Sequence, residues 1–133
     1  MTYKIYKKFK FDAAHRILGH FGKCANLHGH TYEVILELSS ETLNDMQVVV
    51  DYYNLKEFKE YIDTNFDHAL IIAENDKELI ELTRNMKTKT IIIEHSTSEF
   101  LAKFFFNKAK KMYPEVSSIE VKETQATGAI YHE

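Results

Sequence analysis

The sequence predicts an α+β fold in which two main helices cover one face of a four-stranded antiparallel sheet. Two long stretches, Tyr3–His15 and His28–Leu38, alternate apolar and polar residues, as strands with one buried face do. The stretches Asp51–Phe66 and Ser96–Pro114 instead carry apolar residues at spacings of three and four, the pattern of amphipathic helices. Ser117–Thr124 alternates again, so the helices are expected between strands of one sheet.

Shorter signals complete the predicted order of elements. Val48–Val50 is expected to extend the first two strands into an antiparallel meander, and Asp51 to cap the first helix. Asp67-His68 separates that helix from the apolar run Ala69–Ala73. The remaining predictions are a short helix, a short buried strand and a capping box, at Lys77–Met86, Thr90–Ile93 and Ser96-Thr97-Ser98-Glu99.

Composition limits the kind of protein. A chain of 133 residues with 44% apolar residues is sized for one domain with a real core, so residues 1–133 are expected to form a single domain. No stretch approaches the roughly 18 apolar residues of a membrane helix. Met1–Lys10 alternates apolar and charged residues, so we do not expect it to be a secretory signal. The net charge of −3 and the lack of a basic block argue against nucleic acid as a partner. One cysteine cannot form an internal disulfide, which favours a cytoplasmic setting.

Three histidines are candidate metal ligands. His28 and His30 lie two apart on a strand, so their rings project from one face about 7 Å apart. His15 ends the other long strand on its apolar face. If the strands pair, three imidazoles converge on a site for an ion of the zinc type, with one position open for water or substrate. The alternative is that they are ordinary core histidines, since the chain has seven.

Cys24 precedes His28 by four residues in a loop that contains glycines. One interpretation is a small buried apolar residue, the commonest fate of a free cysteine. A second is a thiolate that acts as base or nucleophile, because a nearby cation lowers the pKa of a thiol from about 8.5. A third is a fourth metal ligand.

Carboxylates supply further candidates. Asp67 lies beside His68 at a helix end, where both could be acid–base groups or only helix-terminal polar residues. Glu123 shares a face with the apolar residues of the last strand, so its carboxylate should be partly buried and need N–H donors, which a ligand could supply. Glu99 could act only as the glutamate of the capping box.

Five segments, taken in order, resemble the 6-pyruvoyl-tetrahydropterin synthase family. They are FDAAHRI, KCANLHGHTYEV, DH, STSEFLAKF and VKETQATGAIY, and they span Phe11 to Tyr131. The resemblance implies that His15, His28 and His30 bind Zn²⁺. It implies that Cys24 is the catalytic thiolate, with Asp67 and His68 as acid–base partners. It further implies a pterin pocket formed by Glu123, Thr97, Ser98 and Glu99.

The resemblance also implies a fold, an assembly and a reaction. The fold is the tunnelling fold, which assembles into an oligomeric β-barrel, commonly a homohexamer built as a dimer of trimers, with active sites between subunits. The spacing Cys24-x3-His28 fits the carboxy type of the family. That type converts 7,8-dihydroneopterin triphosphate and water to 6-carboxytetrahydropterin, acetaldehyde and triphosphate, in queuosine biosynthesis. Arg16 and Lys23 are candidates to bind triphosphate, and Asn75–Glu94 is longer than in compact relatives.

Two alternative functions remain open. A pyruvoyl synthase would eliminate triphosphate but keep the side chain of the pterin. A zinc-binding module without catalysis would use Cys24 as a fourth ligand. A zinc hydrolase or deaminase is less favoured, because no glutamate adjoins His28 or His30 to act as general base.

Overall fold

The computed structural model describes residues 1–133 and contains six strands and three α-helices. A 3₁₀ turn lies in each of two connections, at Lys23–Ala25 and Tyr52–Leu55. In chain order the elements are β1 Tyr3–His15, β2 His28–Ser40, α1 Lys56–Asn65, β3 Ala69–Ala73, α2 Lys77–Thr83, β4 Thr90–Ile93, α3 Ser98–Met112, β5 Val116–Lys122 and β6 Gly128–His132.

The antiparallel pair β1–β2 forms the centre of the sheet. Its register runs without interruption from Tyr3 opposite Ser40 to His15 opposite His28. Both strands are 13 residues long, and the alternation in the sequence predicted the whole of β1 and β2 as far as Leu38. The alternate residues that face the helices are buried from Phe9 to His15 in β1 and from Tyr32 to Leu38 in β2, as the pattern requires.

The sheet differs from the predicted four-stranded antiparallel one. Its six strands lie in the order β4-β3-β1-β2-β5-β6, and the β1–β3 and β3–β4 pairs are parallel. Parallel neighbours require a crossover connection, and α2 supplies the one between β3 and β4. The prediction of four antiparallel strands was therefore wrong, although the α+β class holds.

Two local strand assignments explain the rest of the difference. Val48–Val50 forms a bend rather than a strand, and its valines pack partly against the core. The edge strand β6 was not predicted; a turn held by the Thr124 hydroxyl, which accepts from the amides of Ala126 and Thr127, folds it back onto β5. Both segments are short, so local periodicity gave little signal for either.

The start of α3 is capped by a different residue from the one predicted. The Thr97 hydroxyl accepts the Phe100 amide at 3.2 Å, so Thr97 is the N-cap. Ser96 does not form a capping box with Glu99; its hydroxyl donates to the Arg16 carbonyl. Glu99 instead accepts the Ser98 hydroxyl at 2.9 Å.

Helices α1 and α3 cover the inner face of the sheet, as the sequence predicts. Their core residues include Phe58, Ile62 and Phe105, all with no exposed surface. Aromatic packing continues into the sheet, where the Phe11 and Tyr32 rings stack 4.8 Å apart. The same inner face carries the candidate histidines at its end, so the core holds their strands in a fixed position. None of the helices has both the length and the apolar character needed to cross a membrane.

Candidate metal and active site

His15, His28 and His30 converge on one point at the end of the β1–β2 pair. His15 lies directly opposite His28, and His30 follows two residues later on the same face. The ring centroids are 4.7 Å apart for His15–His28, 4.9 Å for His28–His30 and 5.3 Å for His15–His30. One nitrogen of each ring lies within 4.8 Å of the others, so a single ion could contact all three.

Backbone carbonyls orient two of the three rings. His15 Nδ1 lies 2.8 Å from the Ser96 carbonyl oxygen, and His28 Nδ1 lies 2.7 Å from that of Asn26. A carbonyl only accepts, so each Nδ1 carries the proton and each Nε2 keeps a free lone pair. The Nε2 atoms of His15 and His30 are buried and have no hydrogen-bond partner. Buried nitrogens left in this way fit the donor set of a metal ion.

Burial keeps His15 and His30 in the neutral form that a metal requires. The pKa of His15 is lowered from 6.5 to about 4, mainly by burial. The Ser96 carbonyl opposes this shift, and the neighbouring His28 and His30 contribute smaller lowering effects. Burial also lowers the pKa of His30, which Glu123 partly opposes. Neutral imidazole is therefore the resting state of both rings near pH 7.

Cys24 lies in the 3₁₀ turn between β1 and β2, close along the chain to His28. Its carbonyl accepts the Ile17 amide at 2.7 Å, which anchors the turn to the end of β1. The thiol is free and partly exposed. Its sulfur is not part of the histidine cluster, since it does not lie within 4.8 Å of all three nitrogens. This geometry disfavours Cys24 as a fourth ligand.

Glu123 and Tyr32 border the histidines. Glu123 follows β5, and its Oε2 lies 3.5 Å from His30 Nε2 with a quarter of the side chain exposed, partly buried as its position in the sequence predicts. The Tyr32 ring lies 5.3 Å from the His30 ring, and its buried hydroxyl has no partner. Burial, and secondly the charge of Glu123, raise the pKa of Tyr32. We had not predicted a role for Tyr32, although it shares the face of His30.

Thr97, Ser98 and Glu99 form the N-terminus of α3, next to the residue whose carbonyl orients His15. The Thr97 side chain is occupied by its capping role, and the Ser98 hydroxyl donates to Glu99. The segment is thus joined to the histidine cluster through Ser96. Whether it lines the pterin pocket stays a prediction.

Asp67 and His68 form an ordered pair at the break between α1 and β3. Asp67 Oδ2 lies 2.9 Å from His68 Nδ1, and Oδ1 accepts the Asp12 amide at 3.0 Å. That amide is the main reason why the pKa of Asp67 is lowered. The His68 amide donates to the Asp12 carbonyl at 2.6 Å, which holds His68 at a φ of 62°, a conformation that costs free energy in a non-glycine residue.

This pair lies on the other side of the sheet from the histidines. The ligand atoms of Asp67 and His68 cluster with that of Asp12, whose exposed carboxylate accepts the Thr31 hydroxyl on the outer face. His15 and His30 project from the inner face of the same two strands. One chain therefore does not bring His68 to the histidine cluster.

Arg16 does not present a free cation to a triphosphate. Its guanidinium donates to both carboxylate oxygens of Asp76 and to Glu78. The expectation that Arg16 binds phosphate is therefore not supported by its contacts. Lys23 is exposed beside Cys24 and remains a candidate.

The lowered pKa of His15 predicts a pH dependence for the metal-free protein. Between the unfolded pKa of 6.5 and the folded value of about 4, the unfolded chain binds a proton that the folded chain does not. The stability due to neutral His15 is therefore full above pH 6.5 and lost as the pH falls toward 4, by up to about 3 kcal/mol for this shift. Urea unfolding of the wild type and of His15→Leu at pH 7, 6, 5 and 4.5 measures this.

We expect the free energy of unfolding of the wild type to fall relative to His15→Leu across this interval. The comparison removes the contribution of carboxylates that titrate in both proteins. Parallel curves for the two proteins would contradict the buried, neutral state of His15.

Comparisons with known proteins agree with this architecture. Residues 4–133 match the family described as 6-pyruvoyl tetrahydropterin synthase. The chain is 36% identical to the 6-carboxy-5,6,7,8-tetrahydropterin synthase of Haemophilus influenzae, over 98% of this chain and 99% of that one.

Solved structures show the same fold. An uncharacterized protein, WS1659, from Wolinella succinogenes superposes with a TM-score of 0.89 at 23% identity, over 100% of this chain and 99% of that one. The 6-pyruvoyl tetrahydropterin synthase of Caenorhabditis elegans superposes with a TM-score of 0.76 at 24% identity, over 100% of this chain and 96% of that one. Since the family match and the similarity to the Haemophilus protein both extend over nearly the whole sequence, the chain belongs to the 6-pyruvoyl tetrahydropterin synthase family.

Proposed function

We propose that this protein converts 7,8-dihydroneopterin triphosphate and water to 6-carboxy-5,6,7,8-tetrahydropterin, acetaldehyde and triphosphate. The observation that carries the proposal is the similarity to the Haemophilus protein named for that product, which covers nearly the full length of both chains. The spacing of Cys24 and His28, typical of the carboxy type, supports the same choice. We place the reaction in queuosine biosynthesis, and in the cytoplasm, where a free catalytic thiol stays reduced.

We propose Zn²⁺ as the ion held by His15, His28 and His30. Imidazole ligands suit zinc, and three protein ligands leave a position for substrate, as in catalytic zinc sites. When bound, the ion supplies Lewis acidity that acidifies the side-chain hydroxyls of the substrate and the C–H bonds next to them. The Ser96 and Asn26 carbonyls would then act as the outer contacts that fix two of the rings.

Cys24 and His68 are the proposed proton carriers. Cys24 lies in a turn anchored next to the end of β1, outside the histidine cluster, and we propose that its thiolate acts there as a base and not as a ligand. Asp67 holds Nδ1 of His68, so the exposed Nε2 is the atom available to give or accept a proton. Together they would move protons between side-chain carbons, with triphosphate leaving by elimination and the two-carbon fragment by retro-aldol cleavage.

Glu123 is the proposed anchor for the pterin ring. No Lys or Arg nitrogen lies within 4.0 Å of its carboxylate, whose one close partner is the weakly basic His30. A partly buried carboxylate in this state gains from the paired N–H groups of a pterin edge. Ring binding at Glu123 would place the pterin side chain over the histidines, with Thr97, Ser98 and Glu99 bordering the pocket.

We further propose that the active site is completed by a neighbouring subunit. The β1–β2 pair separates His68 from the histidine cluster. This supports the arrangement, because each face of the pair in one chain carries only some of the proposed catalytic groups. A homohexamer built as a dimer of trimers, with the sheets closed into a barrel, would bring Asp67 and His68 of one chain to Cys24 of the next.

Product analysis tests the reaction. Incubation with dihydroneopterin triphosphate should give 6-carboxytetrahydropterin by mass spectrometry and one equivalent of acetaldehyde. Loss of triphosphate with the side chain retained would indicate a pyruvoyl synthase instead. Absence of both products from zinc-loaded protein would contradict the proposed function.

Substitution of Cys24 separates catalysis from metal binding. Cys24→Ala should lower turnover by at least about 100-fold, because a positioned base contributes a factor of this size. The variant should bind as much zinc as the wild type, because the Cys24 sulfur that it lacks lies outside the histidine cluster. His28→Ala is the matched control, which should lose zinc and activity together. Full activity of Cys24→Ala, or loss of its zinc, would refute the assigned role.

Mixing of subunits tests the shared active site. Cys24→Ala and His68→Ala should each be inactive alone, yet mixed oligomers should recover activity, since some sites then combine an intact Cys24 with an intact His68. Oligomers mixed from Cys24→Ala and His28→Ala should recover none, because both residues belong to the same half of each site. Equal recovery in both mixtures, or none in confirmed mixed oligomers, would contradict the arrangement.

A further inference from the structure

The residue after His15 makes a buried ion pair. Arg16 Nε and Nη2 donate to the two carboxylate oxygens of Asp76 at 2.7 and 2.6 Å. The Asp76 side chain is 1% exposed and that of Arg16 is 18% exposed. The same Nη2 also donates to Glu78 at 3.1 Å, but the Glu78 side chain is 73% exposed. Two carboxylates thus contact one guanidinium, and only one of them is buried.

Asp76 fixes this pair to the rest of the fold. It is the N-cap of α2, where its Oδ1 accepts the Leu79 amide at 3.2 Å. The pair therefore joins α2, within the long segment Asn75–Glu94, to the C-terminal end of β1. Because the Arg16 guanidinium donates through two parallel N–H groups, the pair fixes the relative orientation of the two side chains as well as attracting them.

Ser96 joins the main chain of Arg16 to the ring of His15. Its hydroxyl donates to the Arg16 carbonyl at 3.1 Å, and its own carbonyl accepts from His15 Nδ1 at 2.8 Å. Ser96 is 3% exposed, so both bonds are buried at that residue. A shift of Arg16 would therefore move the group that orients His15.

Stability alone is a weak reason for such a pair. The cost of removing two charges from water can exceed their attraction, and apolar residues in place of a buried ion pair are often no less stable. A role for Arg16 in binding phosphate is also disfavoured, because its guanidinium is shared by two carboxylates.

We propose that Asp76 is a positioning residue for the metal site. Its ion pair with Arg16 holds the end of β1, and through Ser96 the ring of His15, in the geometry that binds the ion. The inference rests on the metal site of the proposed function and adds to it a residue that lies 60 positions from Arg16 in the sequence. Contacts outside the ligand shell typically change metal affinity by 10- to 100-fold, so an effect of about tenfold is expected.

Asp76→Asn tests the inference, because asparagine keeps an oxygen that can cap α2 while the charge is removed. The affinity for Zn²⁺ is measured by competition with a chromophoric chelator, and the ligand geometry by the absorption of the Co²⁺-loaded protein. We expect about tenfold weaker Zn²⁺ binding and an altered Co²⁺ spectrum. Thermal unfolding of the metal-free proteins shows that each is folded at the temperature of the titration.

Glu78→Gln is the matched control, since Glu78 contacts the same guanidinium from an exposed position; its Zn²⁺ affinity should stay within twofold of the wild type. If Asp76→Asn does not fold, Arg16→Met/Asp76→Asn removes both charges and should show the same weakening. If folded Asp76→Asn binds Zn²⁺ with wild-type affinity, or if Glu78→Gln loses as much affinity as Asp76→Asn, the role of Asp76 is overturned while the proposed metal site stands. A wild-type protein that binds no Zn²⁺ would overturn the proposed metal site as well.

Discussion

The register of β1 against β2 is the constraint on which the site depends. It places His15 opposite His28 and brings His30 to the same face. A slip of one residue would turn one strand over and send its histidines to the opposite face. The core prevents this, because the same alternation buries Phe11 and Tyr32 under the helices. One pattern, the period-two alternation of β1 and β2, therefore specifies both the apolar core and the imidazoles that could hold an ion.

The candidate catalytic groups lie on two different faces of this strand pair. The inner face carries the imidazoles, with Glu123 beside His30, whereas Asp67 and His68 lie against the outer side of β1 at Asp12. Within one chain the two sets therefore form separate clusters. The His68 backbone has a φ of 62° and donates its amide to the Asp12 carbonyl, while Asp67 Oδ1 accepts the Asp12 amide. Backbone strain of this kind concentrates at functional sites, which is why we propose a role for His68.

Local pattern was enough to predict β1, the three histidines on one face and the partial burial of Glu123, because each depends on period-two alternation. The parallel pairs formed by β3 were not predictable in this way, since a short apolar run does not specify its neighbours. The ion pair between Arg16 and Asp76 was missed for the same reason: the partners are 60 residues apart. Thr97 replaced Ser96 as cap because the Ser96 hydroxyl bonds to Arg16, a contact that no local motif records.

The proposed ligand set of one divalent ion is three imidazoles, without the sulfur of Cys24. X-ray absorption of the zinc-loaded protein at the zinc edge tests it most directly. We expect three nitrogen ligands at about 2.0–2.1 Å, one oxygen from water or substrate, and no sulfur bound to the zinc. A sulfur at about 2.3 Å, or fewer than three imidazoles, would contradict it.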